Sequence, residues 1–284
     1  MMRQWVAMNI FEEPKIDCHN HVLDPRRFPY AADTAYRPGG QEVGTAAQFR
    51  EVMDAYGVRN ALVVGPNSGY GLDNRALLAA IASGGGRLKG IAVVRNDATL
   101  DELATFKAAG IVGVAWNVTL HGIDHYRSAA TLLEHLERLD MWVQIQVEGD
   151  QIVPLMPMLQ RSGAKIVIDH CGRPAPEAGL AQPGFAALLA LGRSGRACVK
   201  LSGYAKFSRE AYPWADARPY VQSLIDTYSP ENCVWASDWP FLRATERIDY
   251  GPLLTLAQRL LPEPAVRRQI LWETPCRLFG FDNK

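Results

Sequence analysis

The chain lacks an excess of charge of either sign. Its 30 Lys and Arg balance 30 Asp and Glu over 284 residues, so it has no electrostatic footprint for nucleic acid or an anionic membrane surface. It also lacks a long apolar run. The longest strictly apolar stretches, residues 76–82 and 185–191, are too short to cross a bilayer. Cysteine is sparse: Cys18, Cys171, Cys198, Cys233 and Cys276 lie far apart with no Cys-x-x-Cys pair. That pattern excludes a disulfide scaffold and predicts free thiols in a reducing compartment. The opening MMRQWVAMNIFEEP has no apolar core of leader type, which adds to the expectation of a cytoplasmic protein. Gly/Ser linkers, low-complexity tracts and charge runs are missing too, so residues 1–284 read as a single domain.

What is present is an ordinary globular composition, 48% hydrophobic and 21% charged. Short apolar, β-branched runs at 15–22, 60–66, 88–94, 113–118, 141–147, 165–172, 197–203 and 233–240 read as strands. Between them, stretches such as AAQFREVMDAYG, TLDELATFKAAG, SAATLLEHLERLD and ARPYVQSLIDTY repeat their apolar residues at three- and four-residue steps. Gly57, Gly110 and Gly163 stand where helices should end, and Thr99 and Ser128 near where they should start. Strands that are apolar throughout suit a parallel sheet covered on both faces. Eight such units, most with strand starts about 25 to 35 residues apart, predict an α/β fold of the (β/α)₈ TIM-barrel type. A doubly wound open sheet is the competing architecture, and the absence of G-x-G-x-x-G after the first strand weighs against it. Residues 24–44, rich in Pro, Arg, Gly and Tyr, read as a loop over the barrel mouth.

A barrel of this kind carries its chemistry at the C-terminal ends of its strands. There the apolar runs end in polar groups: His19 and His21 on the first, Asp169 and His170 on the sixth, Ser237 and Asp238 on the eighth. Asn117 beside Trp116, Gln144 and Gln146, and Lys200 and Ser202 stand on the fourth, fifth and seventh, with Tyr204 just beyond. The two-residue step puts both imidazoles of His19 and His21 on one face. His121, His125 and His135 fall in a loop or on a helix and read as structural. A carboxylate with convergent imidazoles can take a proton from water and donate hydrogen bonds to an oxygen gaining charge. The catalytic candidates are therefore Asp238, His19, His21 and His170. Asn117, Trp116, Gln144, Gln146, Lys200, Ser202, Tyr204 and Arg243 are the candidates to meet substrate. Trp116, Tyr70, Tyr204, Phe207, Trp214 and Trp239 suggest an aromatic mouth. The apolar surround of Trp235, Trp239 and Phe241 predicts an Asp238 carboxyl raised above that of a free Asp.

The motifs at 16–22 (IDCHNHV), 63–78 (VVGPNSGYGLDNRALL), 168–174 (IDHCGRP), 200–203 (KLSG), 235–240 (WASDWP) and 277–281 (RLFGF) together resemble the amidohydrolase superfamily. The likeness is to its lactonase-like branch, related to 2-pyrone-4,6-dicarboxylate lactonase. The resemblance implies a barrel that hydrolyses a lactone or related activated ester of a small carbohydrate or aromatic-degradation intermediate. In it, Asp238 would be the base toward water, and His19, His21 and His170 would polarise the carbonyl. The branch carries G-x-R-x-N on strand four. Here the stretch is Gly113-Val114-Ala115-Trp116-Asn117, so that arginine is missing and a less acidic substrate is expected. Arg26, Arg27, Arg95, Arg173, Lys206 and Arg243 are the remaining cations that could meet a carboxylate. Metal-dependent members place a metal ligand on strand four or five, where this chain has Gln144 and Gln146, poor ligands for zinc. The expectation is a metal-free site. If one divalent metal such as Zn²⁺ is held, His19, His21 and Asp238 are its ligands. A metal-dependent decarboxylase and a non-catalytic small-molecule binder are the alternatives. A small-molecule partner is expected, no nucleic acid or membrane, and a homo-oligomer is left open.

Overall fold

The computed structural model describes residues 9–282. Eight strands pair in sequence order, every pair parallel: β1 (Lys15–Asn20), β2 (Val58–Val64), β3 (Leu88–Ala92), β4 (Ile111–Asn117), β5 (Trp142–Gln146), β6 (Lys165–Ile168), β7 (Ala197–Leu201) and β8 (Cys233–Trp235). The ring closes where β8 runs on to β1. Asn20 bridges Trp239, the Asp238 amide donates to the His19 carbonyl at 2.8 Å, and the His21 amide donates to the Trp239 carbonyl at 2.7 Å. The (β/α)₈ barrel predicted from the strand spacing is the fold.

Helices follow the strands: α1 (Ala46–Ala55), α2 (Arg75–Ala82), α3 (Leu100–Ala108), the single turn α4 (Val118–His121), α5 (Ala130–Arg138), α6 (Met156–Arg161), α7 (Pro183–Arg193), α8 (Arg218–Tyr228) and α9 (Tyr250–Leu260). They cover the outside, except that α4 sits at the mouth, where Thr119 and Leu120 line a cavity. α3 shows how local chemistry sets an element. The Thr99 hydroxyl accepts from the Glu102 amide, the Glu102 carboxylate accepts from the Thr99 amide, and Gly110 follows the helix at φ +93. Such a cap contributes about 1 kcal/mol, and glycine takes the left-handed turn without a Cβ clash. α5 buries Leu132, Leu133 and Leu136, the stripe that its three- and four-residue spacing requires. Gly163 likewise follows the end of α6, after Arg161 and its cap Ser162, but not in the left-handed conformation, and its amide donates to Glu137. Ser128 precedes the α5 cap, which is Ala129.

α10 (Pro264–Arg268), a π turn (Gln269–Glu273) and α11 (Thr274–Phe279) close the N-terminal end of the barrel. There Trp272, Cys276, Phe279 and Phe281 pack against Cys18, Leu62, Ile91, Val167, Cys198 and Val234 of the strands. Lys89 and the Trp142 indole, near the starts of their strands, donate to the Phe279 and Leu278 carbonyls. One end is thus filled with side chains, and the other is left for the site.

The strands stop earlier at their C-terminal ends than the apolar runs suggest. β6 ends at Ile168, and His170, Cys171, Gly172 and Arg173 then take left-handed backbone, φ between 45 and 73. β8 ends at Trp235, with Asp238 at φ 63 and a cis Trp239–Pro240 bond. Period-two pattern cannot register such a turn, because the side chains keep their polarity while the ladder stops. All five cysteines are free and buried. Among the described residues no helix is long and apolar enough to cross a membrane.

Candidate active site

At the C-terminal end of the strands lies a cavity of about 490 Å³. His19, His21, His170 and Asp238 all line it, brought from β1, the turn after β6 and the turn after β8. A local irregularity makes this possible. Asp17, His19 and His21 have the same parity and on a regular strand would face one side. β1 carries an extra residue against β2 between Asp17 and Asn20. Such a bulge re-aims side chains, so Asp17 meets Tyr250 of the outer helix α9 while both histidines turn to the mouth. Asp17 also accepts from the Ser237 amide at 3.0 Å and the Ser237 hydroxyl at 2.5 Å, which ties the chain just before Asp238 to β1. Burial pushes the Asp17 carboxyl up to about 6 in spite of these donors.

Oδ1 of Asp238 is ringed by three imidazole nitrogens: His21 Nε2 at 3.6 Å, His19 Nε2 at 3.7 Å and His170 Nε2 at 3.8 Å. These separations exceed a direct hydrogen bond and suit a reacting oxygen held between them. The other carboxylate oxygen, Oδ2, receives Lys206 Nζ at 2.8 Å. Burial by itself would raise the Asp238 carboxyl. Lys206, His170, His21 and His19 outweigh it and hold the group well below the usual carboxylate range. The raised value expected from the aromatic surround is therefore corrected. The aromatic residues were legible in the sequence, but the ammonium facing the carboxylate was not.

The outer nitrogens of the histidines are also partnered. His21 Nδ1 lies 2.8 Å from the Val64 carbonyl, His170 Nδ1 3.1 Å from the Ser202 hydroxyl, and His19 Nδ1 3.2 Å from both Asp169 Oδ1 and Lys200 Nζ. Burial drives His19 down to about 4 and His170 well below its ordinary value, so both rings are neutral at pH 7. His19 and His21 face each other with their Nε2 atoms 3.3 Å apart.

Of the residues expected to meet substrate, Asn117, Trp116, Gln144, Gln146, Tyr204 and Arg243 line the cavity. Lys200 and Ser202 do not, since they stand behind His19 and His170 as their supports. The Gln146 amide donates to Asn117 Oδ1. Of the six cations singled out, Arg173, Lys206 and Arg243 reach the cavity; Arg173 pairs with Glu148 at 2.9 Å, and Arg243 lies over the Tyr36 ring. Of the aromatic candidates, Trp116, Tyr204 and Trp214 line the cavity, together with Phe241. The 24–44 loop packs beside the mouth through Tyr30 on Tyr70 and Tyr36 under Arg243, and none of its residues lines the cavity. Lys206 and Asp169 matter more than their sequence positions suggest. Asp169 was visible as a polar break in an apolar strand, while Lys206 had no distinguishing signal.

His19, His21 and Asp238 bring one ligand atom each close enough together to hold a metal ion. Their separations of 3.3, 3.6 and 3.7 Å are near the ~3.4 Å edge of a tetrahedron with zinc bonds of about 2.0–2.1 Å. The three groups face one point.

The fold and this mouth define a (β/α)₈ barrel with histidines and a carboxylate gathered at the C-terminal ends of its strands. The amidohydrolase family model matches residues 16–281, and the chain belongs to that family. It is 31% identical over 277 residues to the 4-sulfomuconolactone hydrolase of Rhizobium radiobacter, covering 93% of this chain and 89% of that one. It is 26% identical to the 2-pyrone-4,6-dicarboxylate hydrolase of Comamonas testosteroni, with 93% and 89% covered. A crystal structure named as a probable 2-pyrone-4,6-dicarboxylic acid hydrolase from Acinetobacter baumannii, with citric acid bound, superposes with a TM-score of 0.82. It shares 28% identity over 94% of this chain and 99% of that one.

Proposed function

We propose that this protein hydrolyses a small lactone, with Asp238 as the base toward water. The observation that carries the reading is the Asp238 carboxylate ringed by three imidazole Nε2 atoms in a cavity of about 490 Å³. The relatives named above as lactone hydrolases support the same reaction class.

In this reading a water held against Oδ1 gives its proton to Asp238 as its oxygen bonds to the lactone carbonyl carbon. The charge that develops on the carbonyl oxygen meets an N–H donor from His170, whose Nδ1 lies against the Ser202 hydroxyl, while His21, with its Nδ1–H on the Val64 carbonyl, offers Nε2 as an acceptor. The ring C–O bond then breaks, Asp238 returns the proton to the departing oxygen, and one new carboxylic acid results. Lys206 is a second determinant. While it sits on Oδ2 the carboxylate is a weak base. An anionic substrate group that draws Lys206 away restores proton affinity when it is needed.

A divalent ion bound here would polarise the carbonyl or acidify the water, with His19, His21 and Asp238 as ligands. We read the site as working without one, because two ammonium groups already face that ligand set: Lys206 on Asp238 and Lys200 on His19. Lactone opening is tested by pH-indicator detection of acid released from muconolactones, pyrone lactones and sugar lactones. Release above the buffer rate supports the reading; a flat response across the panel, with carbon dioxide evolved from carboxylated aromatics instead, overturns it.

A further inference from the structure

Lys200 is wholly buried, yet it is not part of the cavity wall. An ammonium has three N–H donors and nothing to accept with. Its neighbours supply three acceptor sites: Gln144 Oε1 at 2.5 Å, Asp169 Oδ1 at 3.0 Å and His19 Nδ1 at 3.2 Å. The other Asp169 oxygen takes the Gln144 amide N–H at 2.8 Å.

His19 Nδ1 stands equally far from an acceptor, Asp169 Oδ1, and a donor, Lys200 Nζ. If Nδ1 carried the proton it would bond Asp169, and one buried Lys200 N–H would face another N–H with no acceptor. A buried unmade donor costs about 1–3 kcal/mol, and more for a charged one. If Lys200 donates to Nδ1 instead, every donor is used. The ring proton then sits on Nε2 and points toward His21 Nε2, 3.3 Å away. The His21 nitrogen is free to accept because its Nδ1–H donates to the Val64 carbonyl at 2.8 Å. The directions agree along the whole chain from Lys200 through His19 and His21 to Val64.

We propose that Lys200 is a positioning residue that fixes the His19 proton on Nε2, and so keeps the His19–His21–Asp238 group from serving as a site for a divalent cation. A metal ligand must offer a lone pair. While Lys200 donates to Nδ1, the His19 atom facing His21 and Asp238 holds a hydrogen. Without the lysine, His19 Nδ1–H turns to Asp169, the carboxylate–histidine arrangement that orients imidazoles toward zinc. The three ligand atoms need hardly move. One buried side chain behind the site thus separates metal-free from metal-binding use of the same three residues.

Two measurements test this, neither using a substrate, so their outcome stands apart from the lactone assay. The first is nitrogen NMR of the wild-type chain labelled in its histidine rings, with His19→Gln for assignment. His19 is expected to be protonated at Nε2, and protonation at Nδ1 overturns the proposal. The second is titration with Zn²⁺ alone after chelator dialysis, by calorimetry and by metal content from mass spectrometry. Wild type is expected to bind well below one equivalent. Lys200→Met should bind about one, with affinity raised about 10- to 100-fold. One tightly held zinc in wild type, or equal affinity in both, overturns it. Should Lys200→Met fail to fold because Asp169 is left without its cation, Lys200→Met/Asp169→Asn removes both charges and keeps an acceptor for His19 Nδ1–H. The same rise in zinc affinity is expected, and no rise overturns the proposal.

Discussion

Replacing Asp238 by Asn isolates the proton-accepting role from everything else the side chain does. Asp238 sits at φ 63, a left-handed conformation that Asn tolerates better than most residues, so the backbone turn is kept where Ala would strain it. The Asn carbonyl can still accept from Lys206 on the Oδ2 side, and its amide then faces the three Nε2 atoms. Lys206 loses its counter-charge, but its side chain is 27% exposed and can reach water, so the stability change should stay within about 1 kcal/mol. What disappears is the ability to take a proton at neutral pH. General-base catalysis is worth about 10²- to 10⁴-fold, or roughly 3–5 kcal/mol of transition-state stabilisation. The expected result is therefore kcat lower by at least about 100-fold, with KM and the urea midpoint little changed. The assay is acid release on whichever lactone the panel identifies, alongside a urea melt. A variant within about fivefold of wild-type kcat would refute the role of Asp238, because no other lining carboxylate can replace it: Asp169 is already committed to Lys200, Gln144 and His19.

Gly203 is at φ +65, and a Cβ there would lie 2.6 Å from the His170 ring; Gly203→Ala should displace that imidazole and lower kcat at least about tenfold, and unchanged kinetics would show that His170 is not needed where it stands. Asp169→Asn leaves Lys200 buried without its carboxylate and should cost about 3–5 kcal/mol in a urea melt, against a smaller loss for Lys206→Met, whose side chain is 27% exposed. Because His19 is neutral above about 4 and the Asp238 carboxyl lies below its usual range, kcat/KM should be level from about pH 5.5 to 8; an acid limb centred above pH 6 would contradict those assignments. Dialysis against a strong chelator should leave most of the activity, and loss on dialysis with recovery on adding Zn²⁺ would make His19, His21 and Asp238 ligands.

The barrel and the positions of its reactive residues follow from local information in the chain. β-branched runs at even spacing can close only as parallel strands with helices between them. A polar residue at the end of such a run, as at His19, Asp169 or Asp238, has nowhere to go but the open mouth. Sequence also determined that strand five brings glutamines and strand four no arginine. Three things needed the tertiary structure. The β1 bulge decides that His19 and His21 part company with Asp17 although all three have the same parity. The left-handed turn at Asp238 and the cation opposite it decide the protonation of the carboxylate, because Coulombic interaction depends on distances between Lys206 and Asp238 that lie 32 positions apart in the chain. And only packing shows that Lys200, on the wall of β7 where sequence suggested contact with substrate, lies behind His19: strand periodicity tells which side a residue faces, but depth within the barrel is set by the stagger of all eight strands.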